Sequence, residues 1–149
     1  MVWHKRRTDL RKFFRQVYNS GIARINLEKR HPGTMKLVHM LPAAFTVGMT
    51  ALVLLFVAGM FCALPCASDA CRTIGTIMCA ASAAPIILYS LIIFIDSSVR
   101  NRSLWVGLLS VPAAFTQLMG YGLGFISAWW KRCVLGKDEF QAFEKTFYK

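Results

Sequence analysis

Chemistry in a chain begins with groups that donate, accept or attack, and here these are sparsely placed. The seven carboxylates are Asp9, Glu28, Asp69, Asp96, Asp138, Glu139 and Glu144. No two form the Asp-x-Asp pair that would hold a divalent metal. Asp138 and Glu139 are adjacent, but they read as part of a solvated tail helix with Phe140, Phe143 and Phe147 on its apolar side. His4, His31 and His39 lack metal-ligand spacing, and none lies near Cys62, Cys66, Cys71, Cys79 or Cys133. Serine and cysteine nucleophiles have no base within sequence reach. Gly120-Tyr121-Gly122-Leu123-Gly124 is glycine-rich, yet it follows no strand and has no basic partner, so it reads as a packing feature.

What the chain has in quantity is positive charge, with eighteen Lys and Arg against seven acids. This coexists with a 56% hydrophobic composition because the charges are segregated. Leu37 to Ser68, Thr73 to Ile95 and Ser103 to Trp130 contain no Asp, Glu, Lys or Arg. Each exceeds the roughly 20 residues that span a bilayer as a helix. A chain of 149 residues is too small to bury three such helices in a soluble core. The expected fold is an all-α membrane protein, a basic amphipathic interfacial helix followed by about three transmembrane helices. The expected division is a basic juxtamembrane segment over 1–36, spans near 37–64, 73–95 and 104–130, and an amphipathic tail over 131–149. The long basic start rules out a secretory signal.

Within the first segment, Thr8 and Asp9 offer a helix start. Leu10, Phe13, Phe14, Val17, Gly21 and Ile25 recur at helical spacing, while Arg7, Arg11, Lys12 and Arg15 tend to the other side. His31-Pro32-Gly33 ends the segment. An apolar stripe opposed by arginines suits a helix lying in the membrane interface, where lipid headgroups are the expected partners and nucleic acid is not. A helix packed on a protein surface gives the same pattern.

In the spans, Gly75, Cys79 and Ala83, and again Gly120 and Gly124, put small residues four apart, which lets helix backbones approach closely. Trp105 and Trp129-Trp130 mark the ends of the third. Pro85 and Pro112 are expected to kink their helices. Cys66 and Cys71 flank a short loop and could pair, although the odd count and apolar setting favour free thiols.

Ten Lys and Arg precede the first span, Arg72 is in the first loop, Arg100 and Arg102 are in the second, and five follow the third. Three crossings with the N-terminus cytoplasmic place twelve of these inside and six outside. Lys131 and Arg132 resist that count. If the third segment broke at its glycines and turned back, the tail would stay inside.

Val2-Trp3-His4-Lys5-Arg6-Arg7-Thr8, the run Phe13 to Arg24 (Phe-Phe-Arg-Gln-Val-Tyr-Asn-Ser-Gly-Ile-Ala-Arg) and His31-Pro32-Gly33-Thr34-Met35-Lys36-Leu37-Val38-His39 resemble the C-terminal third of bacterial family 2 glycosyltransferases with membrane anchors. The tail from Gly136 is similar to theirs as well. The resemblance covers nearly the whole chain. It implies a membrane-anchoring, acceptor-positioning module in the bacterial inner membrane, serving transfer from a nucleotide sugar to a membrane-associated glycan.

The GT-A nucleotide-binding fold, its Asp-x-Asp metal site and its catalytic acid would lie upstream of Met1, in cis or in a separate chain. No cofactor is then expected in this chain, and the divalent metal would belong to that domain. The Gln-x-x-Arg-Trp motif of processive members is absent; Arg15-Gln16 and Gly21-x-x-Arg24 stand in roughly its region. Arg7, Arg15, Gln16 and Arg24 are the implied contacts to acceptor or donor diphosphate, or else to lipid headgroups. The rival reading is a small non-catalytic membrane scaffold or assembly subunit. A transporter is disfavoured because the spans carry no charge.

Overall fold

A computed structural model describes residues 9–64 and 68–136. These residues are all-α: Leu10–Arg30 (α1), Leu41–Cys62 (α2), Asp69–Asn101 (α3) and Leu104–Trp129 (α4), with a 3-10 turn at Leu37–His39 and a π-helical end at Trp130–Val134. Three helices are long and apolar enough to cross a membrane: Leu41–Cys62, Asp69–Asn101 and Leu104–Val134.

The ends follow from local chemistry. Asp9 caps α1, its carboxylate accepting from the Arg11 N–H at 2.9 Å. Lys29 and Arg30 sit in the last turn, where cations complement the helix dipole. The first span starts at Leu41 rather than Leu37, because Pro42 belongs in a first turn, where its missing N–H is not needed. The second runs past both expected ends, from the Ser68 cap through an Asp96–Arg100 pair at 2.8 Å to Arg102, a left-handed cap with φ 50. Both α3 and α4 continue as helix through Pro85 and Pro112.

The chain divides into two compact units, one of Met1–Thr46 with Ala113–Lys149 and the other of Val47–Pro112. In the second, the lower part of α2 packs on the start of α3 by backbone approach. A Cβ on Gly59 would lie 2.9 Å from both the Gly75 carbonyl oxygen and the Cys79 sulfur. Gly75 and Cys79 thus serve the close approach read from their spacing, and the Cys79 thiol also donates to the Phe56 carbonyl at 3.5 Å. At the other end of α3, Gly107 of α4 fits against Phe94 and Ser98. The Ser97 and Ser110 hydroxyls meet there at 2.6 Å. Leu54, Ile77, Leu88 and Ile92 are all more than half exposed, as lipid-facing side chains are.

In the first unit α1 lies beside the second half of α4. Val17 meets Gly120, Tyr18 meets Gly124 and Ser127, Gly21 meets Phe125, and Lys29 meets Arg132. Residue numbers rise together, so the two helices run parallel. A Cβ on Gly21 would be 2.7 Å from the Phe125 nitrogen, and one on Gly124 would be 2.8 Å from the Tyr18 carbonyl carbon. Gly122 points the other way, against Pro42 and Thr46 of α2. Ile22, Ile25, Ala43, Phe125 and Ala128 close the core, flanked by Tyr18, Met35, Tyr121 and Ile126. The apolar stripe of α1 is therefore spent largely on protein contact, although Leu10 stays half exposed. The glycine run of α4 does not break: the helix passes straight through it.

Any side chain at Gly21 or Gly124 must push backbone apart. G21L or G124L should destabilise the first unit by about 3 kcal/mol or more. G48A, where a Cβ meets nothing within 4 Å, should be neutral or gain up to about 1 kcal/mol. Thermal unfolding in detergent, followed by circular dichroism, separates the two; equal loss in both would dissolve the close-approach argument.

Candidate functional site

The basic helix α1 is where the sequence placed its candidate contacts. Arg7 lies outside the described residues, as does Cys66 of the considered disulfide. Cys62, Cys71, Cys79 and Cys133 are free thiols. Arg15 and Gln16 are exposed on α1, together with Arg11 and Lys12. Arg24 is half-buried. At about 100° per residue, the nine residues from Arg15 to Arg24 amount to half a turn, so the two arginines leave opposite sides of the helix. The structure does not bring them together.

Arg24 is instead engaged in the turn that follows α1. Its Nη2 donates to the Thr34 carbonyl, while its Nε is buried without a hydrogen-bond partner. The same turn is held by Glu28. One carboxylate oxygen accepts from the Gly33 N–H at 2.8 Å, and the other accepts from the Thr34 hydroxyl at 2.9 Å. Gly33 is needed there, with φ +86. The Gly33 N–H above all, helped by the Thr34 hydroxyl and neighbouring N–H groups, holds the Glu28 carboxyl below its ordinary value despite some desolvation.

The sequence reading missed the partner of this helix. Arg132, in the π-helical end of α4, is only 8% exposed. Its Nη1 donates to the Asn26 side-chain oxygen at 2.5 Å, and Lys29 donates to its carbonyl oxygen at 2.5 Å. One signal could have revealed it. Gly120, Gly124, Ala128 and Arg132 follow one another at four-residue steps, so the stripe of small residues leads directly to the arginine. Nearby, the Tyr18 and Ser127 hydroxyls are hydrogen-bonded at 2.9 Å.

Among the described residues the ion pairs are Arg72–Asp69 and Arg100–Asp96, both on exposed parts of α3. Lys29, Arg24 and Arg132 belong to neither. The arrangement suits the binding of anions rather than proton transfer, since the one acid on α1 after its cap is committed to a turn. No family model, curated protein or solved structure matches this chain.

Because the folded state lowers the Glu28 pKa from 4.5, its contribution to stability is complete above that pH. It is lost as the pH falls through the lower folded value. Thermal stability should therefore decline with acidification below about pH 4.5 more steeply in the parent chain than in E28Q. Parallel pH profiles would remove Glu28 from the account of the turn.

Proposed function

We propose that this chain is the membrane-anchoring and acceptor-positioning C-terminal module of a family 2 glycosyltransferase. Its partner in the reaction is a GT-A domain, in cis or in trans, that carries the nucleotide sugar, the divalent metal and the catalytic acid. The observation that supports the reading best is the clamping of α1. Its backbone touches that of α4 at Gly21 and Gly124, while Arg11, Lys12 and Arg15 remain exposed.

A basic surface is thereby held at a fixed height beside an apolar helix. That is the geometry a transferase needs where a soluble dianionic donor meets an acceptor that stays in the bilayer. Holding reactants in register lowers a barrier without supplying any reacting group. Exposed arginines add charge-assisted contacts to phosphate or to anionic headgroups.

In this reading the module sits in a bacterial inner membrane with α1 on the cytoplasmic face. The end of α4 joins that face too, because Lys29 and Arg132 are hydrogen-bonded neighbours; in this reading the number of full crossings is even, so one of the three long apolar helices does not cross. Lys131 and Arg132 then add to the cytoplasmic positive charge.

Two measurements test this. Membranes holding the chain alone, and the chain with a GT-A domain encoded beside it, are assayed for transfer from a panel of nucleotide sugars. Activity is expected only in the second, with G124L lowering turnover at least about tenfold through lost positioning. R15Q should act mainly on acceptor KM. No transfer with any such domain would favour the scaffold reading. Separately, a variant keeping only Cys133, an exposed thiol, should react with an impermeant maleimide only when the cytoplasmic face is open. Labelling from the opposite face would reverse the assignment of that end.

A further inference from the structure

The cations used by the transferase reading lie on the exposed side of α1; Arg132 does not. It is 8% exposed, and its described hydrogen-bond contacts are Asn26 through Nη1 and Lys29 through its carbonyl. Nε is buried and makes no hydrogen bond. Nη1 is on the opposite edge of the guanidinium from Nε. The bond to Asn26 lies away from the Nε–Nη2 edge, the pair of parallel N–H groups that grips a phosphate in a forked contact; Nε is enclosed, so a phosphate engages that edge only when the side chains around it part.

A guanidinium taken out of water without an anion is costly, and a second cation beside it raises that cost. Lys29 is such a cation, its ammonium seated on the Arg132 carbonyl. Glu28, the acid nearest in sequence on α1, is turned to Gly33 and Thr34. The position itself indicates where an anion would come from. Arg132 lies in the last turn of the candidate span Leu104–Val134, two residues past Trp130; Trp129 and Trp130 are 46% and 55% exposed. Exposed tryptophans at the end of an apolar helix mark headgroup depth.

We propose that Arg132, with Lys29 and Asn26, forms a binding site for the phosphate of a membrane-borne ligand. The class is a lipid phosphomonoester, either phosphatidic acid or a polyprenyl phosphate. Arg132 supplies the forked contact, Asn26 fixes the guanidinium plane, and Lys29 adds a point charge. The site stands whether or not the chain serves a transferase, because it depends only on the first unit and a bilayer.

The full chain in phosphatidylcholine nanodiscs, in a W3F/W105F background, reports through Trp129 and Trp130. Adding a graded fraction of phosphatidic acid should give a saturable fluorescence change. R132M should weaken the response at least about tenfold, and R132K by a smaller factor because charge survives but the fork does not. R100Q, on an exposed part of α3 where Arg100 pairs with Asp96, should shift it by no more than about twofold, as surface charges do. R132K also guards against misfolding, with circular dichroism as the check on both variants. An unchanged response in R132M and R132K overturns the site. If soluble pyrophosphate in neutral nanodiscs gives the same saturation, the membrane-borne assignment is overturned.

Discussion

The contact on which the first unit depends is the backbone approach of α1 to α4 at Gly21 and Gly124. The basic helix α1 buries Ile22 and Ile25 in one core with Phe125 and Ala128 of α4. The two main chains come close enough for that only where a position carries no side chain. Gly21 faces the main chain at Tyr121 and Phe125, and Gly124 faces that of Tyr18. Two residues along, Gly122 admits Pro42 and Thr46 from α2. One glycine run thus receives two neighbours on two faces. The Thr46 hydroxyl, nearly buried, meets its need by donating to the Pro42 carbonyl at 2.8 Å. Every later feature of the unit, including the exposed basic side of α1 and the enclosed Arg132, inherits its position from that approach.

Much of this was legible in the residues. Uncharged runs announced the three long helices, because nothing else in a chain this short can shelter them. Asp9 and His31-Pro32-Gly33 marked the limits of α1 by capping and by proline sterics. Charge alone does not mark where a helix ends. Asp96 and Arg100 bound the uncharged run but not the helix, since as an i,i+4 pair they carry it forward. The small-residue spacing on α3 identified one side of a contact without its partner, Gly59, since periodicity describes a face and not what meets it.

The candidate site was legible in kind but not in composition. Sequence proximity grouped Arg15, Gln16 and Arg24, yet helical geometry separates Arg15 from Arg24 by half a turn. Arg24 is also drawn into local structure, where a carbonyl at the end of a tight turn needs a donor. By loop counting alone, Arg132 is only a charge that resists the topology. Its partners, Asn26 and Lys29, lie more than a hundred positions away. No local pattern encodes such a pairing; only the four-residue stripe of Gly120, Gly124 and Ala128 points along the helix toward it.

That topology count shows where a count of crossings and the packing diverge. Tallying Lys and Arg by loop treats each apolar segment as independent and assigns the residues after the last one to the far side. Hydrogen bonds from Lys29 to Arg132 and from Arg132 to Asn26 instead put the two ends at one level. The charge bias itself points the same way as the packing, since five Lys and Arg follow the third segment; it is the count of crossings that differs. Separating α1 from α4 would break a glycine-mediated interface and leave a desolvated guanidinium without its amide partner. Opening such a buried charged contact costs several kcal/mol. The positive charges at the end of α1 and at the end of α4 therefore lie side by side in the first unit.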